Sequence, residues 1–255
     1  MNLTLGFLDI SSLLLSGVTV EQNIGTGLFV NIVRRKVIII HCNFVRNNEH
    51  IRRNHQCNPP NTSWTCYGGN VRLFFVPNLF RPHNQQSTDV EISHSLFSGG
   101  VAALNYHNAS KLQVIPQAAG LEVICAPTFE LNITISNTVF KNNSGPYGGN
   151  IYIAVSELSL RHPQIMVHNC NTELGNTELF QPKLPAANCR AAGLVYQTAY
   201  SKEFLDRRRT SILRISNTLF LSNFGCAVAF MVVPPVFSTS GAVYSTSHFG
   251  ILVEN

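Results

Sequence analysis

Charge is what this sequence has least of. Lys, Arg, Asp and Glu make up 12% of its 255 residues, about half the usual density of roughly 25%, while hydrophobic residues reach 45%. So apolar a chain is expected to fold rather than stay disordered, and Asn, Ser and Thr have to make its surface polar. Aspartate is the scarcest acid, with only Asp9, Asp89 and Asp206. They lie far apart, which leaves no carboxylate cluster to cage calcium for a uronate lyase and no Asp-rich strand to supply the two facing acids of a glycoside hydrolase. Glu91, in "VEIS", and Glu203, near Asp206, read as outward strand or loop residues. No GxSxG elbow is present to seat a nucleophile.

Helical stripes and spanning segments are missing as well. No sustained i, i+3, i+4 apolar pattern occurs. The run "CAVAFMVVPPVF" at 226–237 is too short to cross a bilayer and contains Pro234-Pro235. The opening "MNLTLGFLDISSLLLSG" lacks a basic leader and a small-x-small cleavage site. An export signal and any anchor are therefore expected outside this segment, in a longer chain of which it is a piece. The net charge of +5 comes from short clusters, Arg34-Arg35-Lys36, Arg52-Arg53 and Arg207-Arg208-Arg209. These fit solvated turns and match no nucleic-acid-binding motif.

What the sequence does contain is period-two alternation, in "VEISHSLF" at 90–97, "LNITISNTVF" at 131–140 and "SILRISNTLF" at 211–220. That is the pattern of half-buried strands. The pattern recurs. Aligned on the last apolar residue before a polar corner, the copies give Val20, Phe44, Phe97, Phe140 and Phe220, with a degenerate copy near Thr172. Three residues after each comes Asn23, Asn47, Gly100, Asn143, Gly175 or Asn223. A strand–corner–strand unit that cannot bury its own apolar face, repeated along the chain, implies a solenoid. The phenylalanines are expected to stack as an internal ladder, and the corner asparagines to take up the left-handed bend and bond along the axis. The glycine pairs Gly68-Gly69, Gly99-Gly100 and Gly148-Gly149 suggest a second bend.

"FVRNN", "FKNN" and "FLSN" resemble the FxxN element, and "GGNV", "GGVA" and "GGNI" the GGA[ILV] element, of polymorphic outer-membrane-protein repeats. They are also similar to the right-handed parallel β-helix repeats of large extracellular animal proteins. The resemblance implies an all-β, right-handed parallel β-helix of the pectin-lyase-like kind, a single domain over 1–255, with inserted loops at about 49–66 and 170–189.

Two features bear on the compartment. The glycosylation acceptor pattern Asn-x-Ser/Thr occurs at Asn2, Asn61, Asn108, Asn132 and Asn142. Seven cysteines are present, and Cys57–Cys66 and Cys170–Cys189 would close the two loops; Cys42 and Cys226 stand at strand-like positions where a buried free thiol is as natural. Together they favour an extracellular or cell-surface protein. The set Cys42, His50, His55, Cys57 and Cys66 offers zinc-type ligands at a spacing no common zinc motif uses, so no metal or cofactor is expected. His41, His94 and His168 recur at similar strand positions, where they read as partly exposed strand residues, with a pH-sensitive or metal-binding surface as the alternative. The expected function is non-enzymatic adhesion or recognition, with a protein or polysaccharide at the cell surface as partner. The alternatives are a carbohydrate-active enzyme on an acidic polysaccharide, and a bacterial surface or autotransporter passenger segment.

Overall fold

The computed structural model describes residues 3–5, 10–31, 33–49, 69–75, 86–102, 118–125, 129–145, 148–156, 164–176, 191–199, 212–223, 226–233 and 250–254. The described residues form twenty strands and no helix. Every third strand joins the same sheet, and all pairings are parallel. This is the connectivity of a parallel β-solenoid, in which each coil gives one strand to each sheet.

Sheet A contains β1 (Leu3–Leu5), β4 (Leu28–Asn31), β7 (Val71–Phe75), β10 (Leu121–Cys125), β13 (Ile151–Ser156), β16 (Ala191–Ala199) and β19 (Cys226–Val233). Sheet B contains β2 (Ile10–Ser16), β5 (Val33–Ile40), β8 (Gln86–Ser93), β11 (Phe129–Ser136), β14 (Gln164–His168), β17 (Ile212–Ser216) and β20 (Gly250–Glu254). Sheet C is built from three-residue strands: β3 (Thr19–Glu21), β6 (Asn43–Val45), β9 (Leu96–Ser98), β12 (Val139–Lys141), β15 (Asn171–Glu173) and β18 (Leu219–Leu221).

Period-two alternation sends one residue in two inward, so each inner position becomes a ladder of like side chains. Sheet B stacks Leu15, Ile39, Ile92, Ile135, Val167 and Ile215. Sheet A stacks Leu28, Val71, Leu121, Ile151 and Leu194. In sheet C the register partners are Val20, Phe44, Phe97, Phe140, Thr172 and Phe220. Phe44 and Phe97 lie 5.2 Å apart between ring centres, and Phe97 and Phe140 4.8 Å. These near-parallel rings form the centre of one continuous core.

The degenerate copy expected near Thr172 is strand β15, with Thr172 in the phenylalanine row; most of the loop expected at about 170–189 lies outside the described residues. The glycine pairs also divide differently from the sequence expectation. Gly69 and Gly149 lead into sheet A, whereas Gly99-Gly100 occupies the corner after sheet C, in the rows of Arg46 and Asn47.

The three edges of the coil are unlike. Between sheets B and C the connection is two residues in all six coils: Gly17-Val18, His41-Cys42, His94-Ser95, Asn137-Thr138, Asn169-Cys170 and Asn217-Thr218. The first of each pair is left-handed, with φ between 46° and 66°, a conformation that Gly, Asn and His adopt more readily than other residues. The other two connections vary widely. From sheet C to sheet A they run from 4 residues (222–225) to 25 (46–70), and from sheet A to sheet B from 1 (Ile32) to 16 (234–249). All the variation therefore borders sheet A.

Candidate functional site

The outward face of sheet A differs from that of sheet B. Sheet B presents exposed polar side chains, with a Lys36–Glu91 ion pair at 3.1 Å and a hydrogen bond from Asn132 Nδ2 to Asp89 Oδ1 at 3.0 Å. Sheet A, flanked by the long connections, has a sheltered outer row in which Arg72, Glu122, Tyr152 and Val195 are register partners. All four are buried, although they point away from the core. Arg72 Nε lies 3.1 Å from Glu122 Oε2, and Arg72 Nη2 donates to Glu122 Oε1 at 3.5 Å, with both side chains 1% exposed. The guanidinium also lies 5.6 Å from the centre of the Phe74 ring. Two charges brought out of water at such a place are held only by each other and their neighbours, so removing either would leave the other stranded. Neither residue stood out in the sequence: "VRLFF" and "LEVIC" are too apolar throughout to show which face carries the charge.

A second constellation lies where sheet C turns into sheet A. Asn23 Nδ2 donates to Asn47 Oδ1 (2.7 Å), Asn47 to Asn70 (2.8 Å), Asn70 to Asn143 (3.0 Å), Asn143 to Asn150 (2.8 Å) and Asn150 to Asn223 (3.0 Å). Every bond points the same way along the axis, an arrangement in which each amide polarises the next. Asn70 and Asn150 act as relays, each reaching past a coil whose corresponding positions are glycine. Gly100 and Gly120 leave the room: a Cβ on Gly100 would sit 2.7 Å from Asn70 Nδ2, and one on Gly120 3.0 Å from Asn143 Nδ2. At the last described turn Ala227 stands in the relay position; Asn223 Nδ2 keeps the bond to the preceding coil's carbonyl, Thr172 O at 2.8 Å, that Asn47 makes to Val20 and Asn143 to Phe97, and in place of a relay amide it reaches Thr172 Oγ1 at 3.3 Å. Thr172 thus has a task that phenylalanine could not perform. The glycine pairs marked this bend in the sequence, but nothing there showed that the next residue, Asn70 or Asn150, carries the chain of bonds.

Of the described cysteines, Cys42 is the buried thiol its strand-like position suggested, whereas Cys170 departs from the expected bridge. Cys170 is a buried free thiol whose Sγ lies 3.3 Å from the His168 carbonyl oxygen, so it is not bridged to Cys189. Cys42 is likewise buried and free, with Sγ 3.3 Å from the Ile40 carbonyl. Ser95, Thr138 and Thr218 bond the carbonyl two residues back in the same way, at 2.8, 2.7 and 2.9 Å. A small X–H side chain bonds this carbonyl at five of the six bends, Val18 being the exception, and cysteine is one way to supply it. Burial pushes the Cys170 thiol up to about 11 and that of Cys125, another buried core thiol, to about 12. Inward-facing Cys42 is therefore lost to the cysteine and histidine set that suggested zinc. Among the described residues no three His, Cys, Asp or Glu gather as metal ligands.

Of the acceptor asparagines, Asn132 is exposed on sheet B and Asn142 at the corner after sheet C. Asn2, Asn61 and Asn108 lie outside the described residues, as do Cys57, Cys66, Cys189, Glu203, Asp206, His50 and His55. Asp89 and Glu91 share the outer face of β8. No described helix is long and apolar enough to cross a membrane. Compared with known proteins, the chain matches no family model, and no curated protein or solved structure is significantly similar to it.

Proposed function

We propose that this chain is a non-enzymatic recognition module of an extracellular or cell-surface protein, a right-handed solenoid of the pectin-lyase-like kind that binds through the loop-bordered side of sheet A. The observation that carries this reading is the uneven distribution of connection lengths: two residues at every B–C corner, and up to 25 beside sheet A. Segments free to vary on a rigid scaffold are where binding residues concentrate, and a solenoid holds them in a fixed row. The five acceptor asparagines support the compartment. The cysteines lend it less weight, since Cys42, Cys125 and Cys170 are core thiols.

The carbohydrate-active alternative draws on one observation, the convergence of Arg72 and Glu122 beside Tyr152. Against it, each charge is neutralised by its partner and closed from solvent. Both readings meet in one experiment. The protein is secreted from a eukaryotic cell with an added signal, then tested against immobilised neutral and acidic polysaccharides and against cell surfaces. Replacing residues 51–67 or 103–117 with short Gly-Ser linkers is expected to abolish binding, and Lys36→Ser with Glu91→Ser to leave it intact. Binding that survives both loop replacements would contradict the proposal. Polysaccharide cleavage abolished by Glu122→Gln would establish the enzyme.

A further inference from the structure

His41 and His94 occupy the same row of the B–C corner in successive coils. Both backbones are left-handed, with φ of 53° and 50°, and both side chains are exposed. Their amides continue the inter-coil ladder, His41 N donating to the Ser93 carbonyl at 3.1 Å and His94 N to that of Ser136 at 3.2 Å. The two imidazoles are therefore held side by side, with ring centres 5.0 Å apart and planes inclined at 34°. The corner itself does not require histidine: Gly17, Asn137, Asn169 and Asn217 fill the row elsewhere.

We propose that His41 and His94 form an open two-histidine site for a divalent transition-metal ion of the imidazole-binding kind: zinc, copper(II) or nickel. Two imidazoles bound cis to one tetrahedral ion, each nitrogen about 2.0–2.1 Å from the metal, have ring centres about 5 Å apart, a separation that the spacing of adjacent coils supplies by itself, as it does for Phe44 and Phe97 at 5.2 Å. Neutral imidazole is a preferred ligand of these ions. Among the described residues no third His, Cys, Asp or Glu joins them. Cys42 faces inward to the Ile40 carbonyl, and His168 is one residue out of step, paired in register with Ser136 rather than with Asn137. The remaining coordination positions fall to water or to a ligand from a partner, so the site is independent of the loops beside sheet A.

The row supplies its own fold-preserving substitutions. Zinc chloride is titrated calorimetrically into untagged protein and into His41→Asn, His94→Asn and the double variant, with His168→Ser as control because Ser93, Ser136 and Ser216 fill that row. Circular dichroism melts check the fold. The expected result is a site whose affinity falls in either Asn variant by more than the roughly 10-fold that loss of an outer-shell partner costs, falls no further in the double variant, and is unchanged in His168→Ser. Absence of zinc binding by the unmodified protein, unchanged binding by the Asn variants, or an equal loss in His168→Ser would each overturn the proposal.

Discussion

Asn70 donates its side-chain amide to Asn143 at 3.0 Å, 73 positions along the chain and two coils away. The intervening coil can be passed because it has Gly100 and Gly120 where its neighbours have Asn47 with Asn70 and Asn143 with Asn150. Asparagine and glycine thus alternate between coils as a matched set, and the first prediction follows from that fit.

Adding one methyl group to an intervening coil should be costly. Gly120→Ala would place Cβ 2.2 Å from the Asn150 carbonyl oxygen, backbone that cannot move aside, and an expected loss is about 1–3 kcal/mol or more in urea unfolding. Gly17→Asn is the control. Its Cβ would meet nothing within 4 Å, asparagine fills the same left-handed row in three other coils, and stability should stay within about 0.5 kcal/mol.

The aromatic ladder should weaken toward its end. Phe140→Ala empties a fully buried position against Phe97 and is expected to cost about 3–5 kcal/mol. Phe220 is only partly buried, so Phe220→Ala should cost clearly less. Equal losses in denaturant midpoints would contradict the packing described.

Arg72→Ala should destabilise by about 3–5 kcal/mol, because it leaves Glu122 charged and buried. The double variant Arg72→Met, Glu122→Leu should recover most of that loss, since apolar residues of similar volume can replace a buried ion pair. Failure of the second change to rescue the first would mean that Arg72 is needed for something besides its partner.

The core thiols give stability a pH dependence with a definite sign. Cys170 and Cys125 are raised from 9.0 to about 11 and 12, so above pH 9 the unfolded chain releases these protons first. Their contribution is complete below pH 9 and falls as pH rises through 11 to 12. Cys170→Ser, which keeps a donor for the His168 carbonyl as Ser95 does for Ser93, should cost less than about 1.5 kcal/mol at pH 7. It should also lose less stability than the unmodified protein between pH 9 and 11.

Much of the fold is legible in the sequence because one period governs it. The apolar residue and the corner three positions later fall on the same rows of sheet C from Val20 to Phe220, even where Thr172 replaces the aromatic. Features that depend on what lies outside the coil are not legible. The strands of sheet A look apolar on both faces because both are sheltered, so Arg72 and Glu122 do not stand out. Cysteine spacing suggests a bridge at Cys170, whereas its row, shared with Ser95 and Thr138, shows a small side chain bonded to the carbonyl two residues back. The three histidines look equivalent until register separates them: His168 ends strand β14 in the row of Ser93 and Ser136, whereas His41 and His94 occupy the left-handed corner one residue later.

The relay across alternate coils is the feature on which this account of the solenoid most depends, and a double-mutant cycle on Asn70→Ala and Asn143→Ala tests it. A coupling of about 1 kcal/mol or more between the two positions is expected, within the range found for directly bonded pairs. Additive losses, agreeing within about 0.3 kcal/mol, would contradict it.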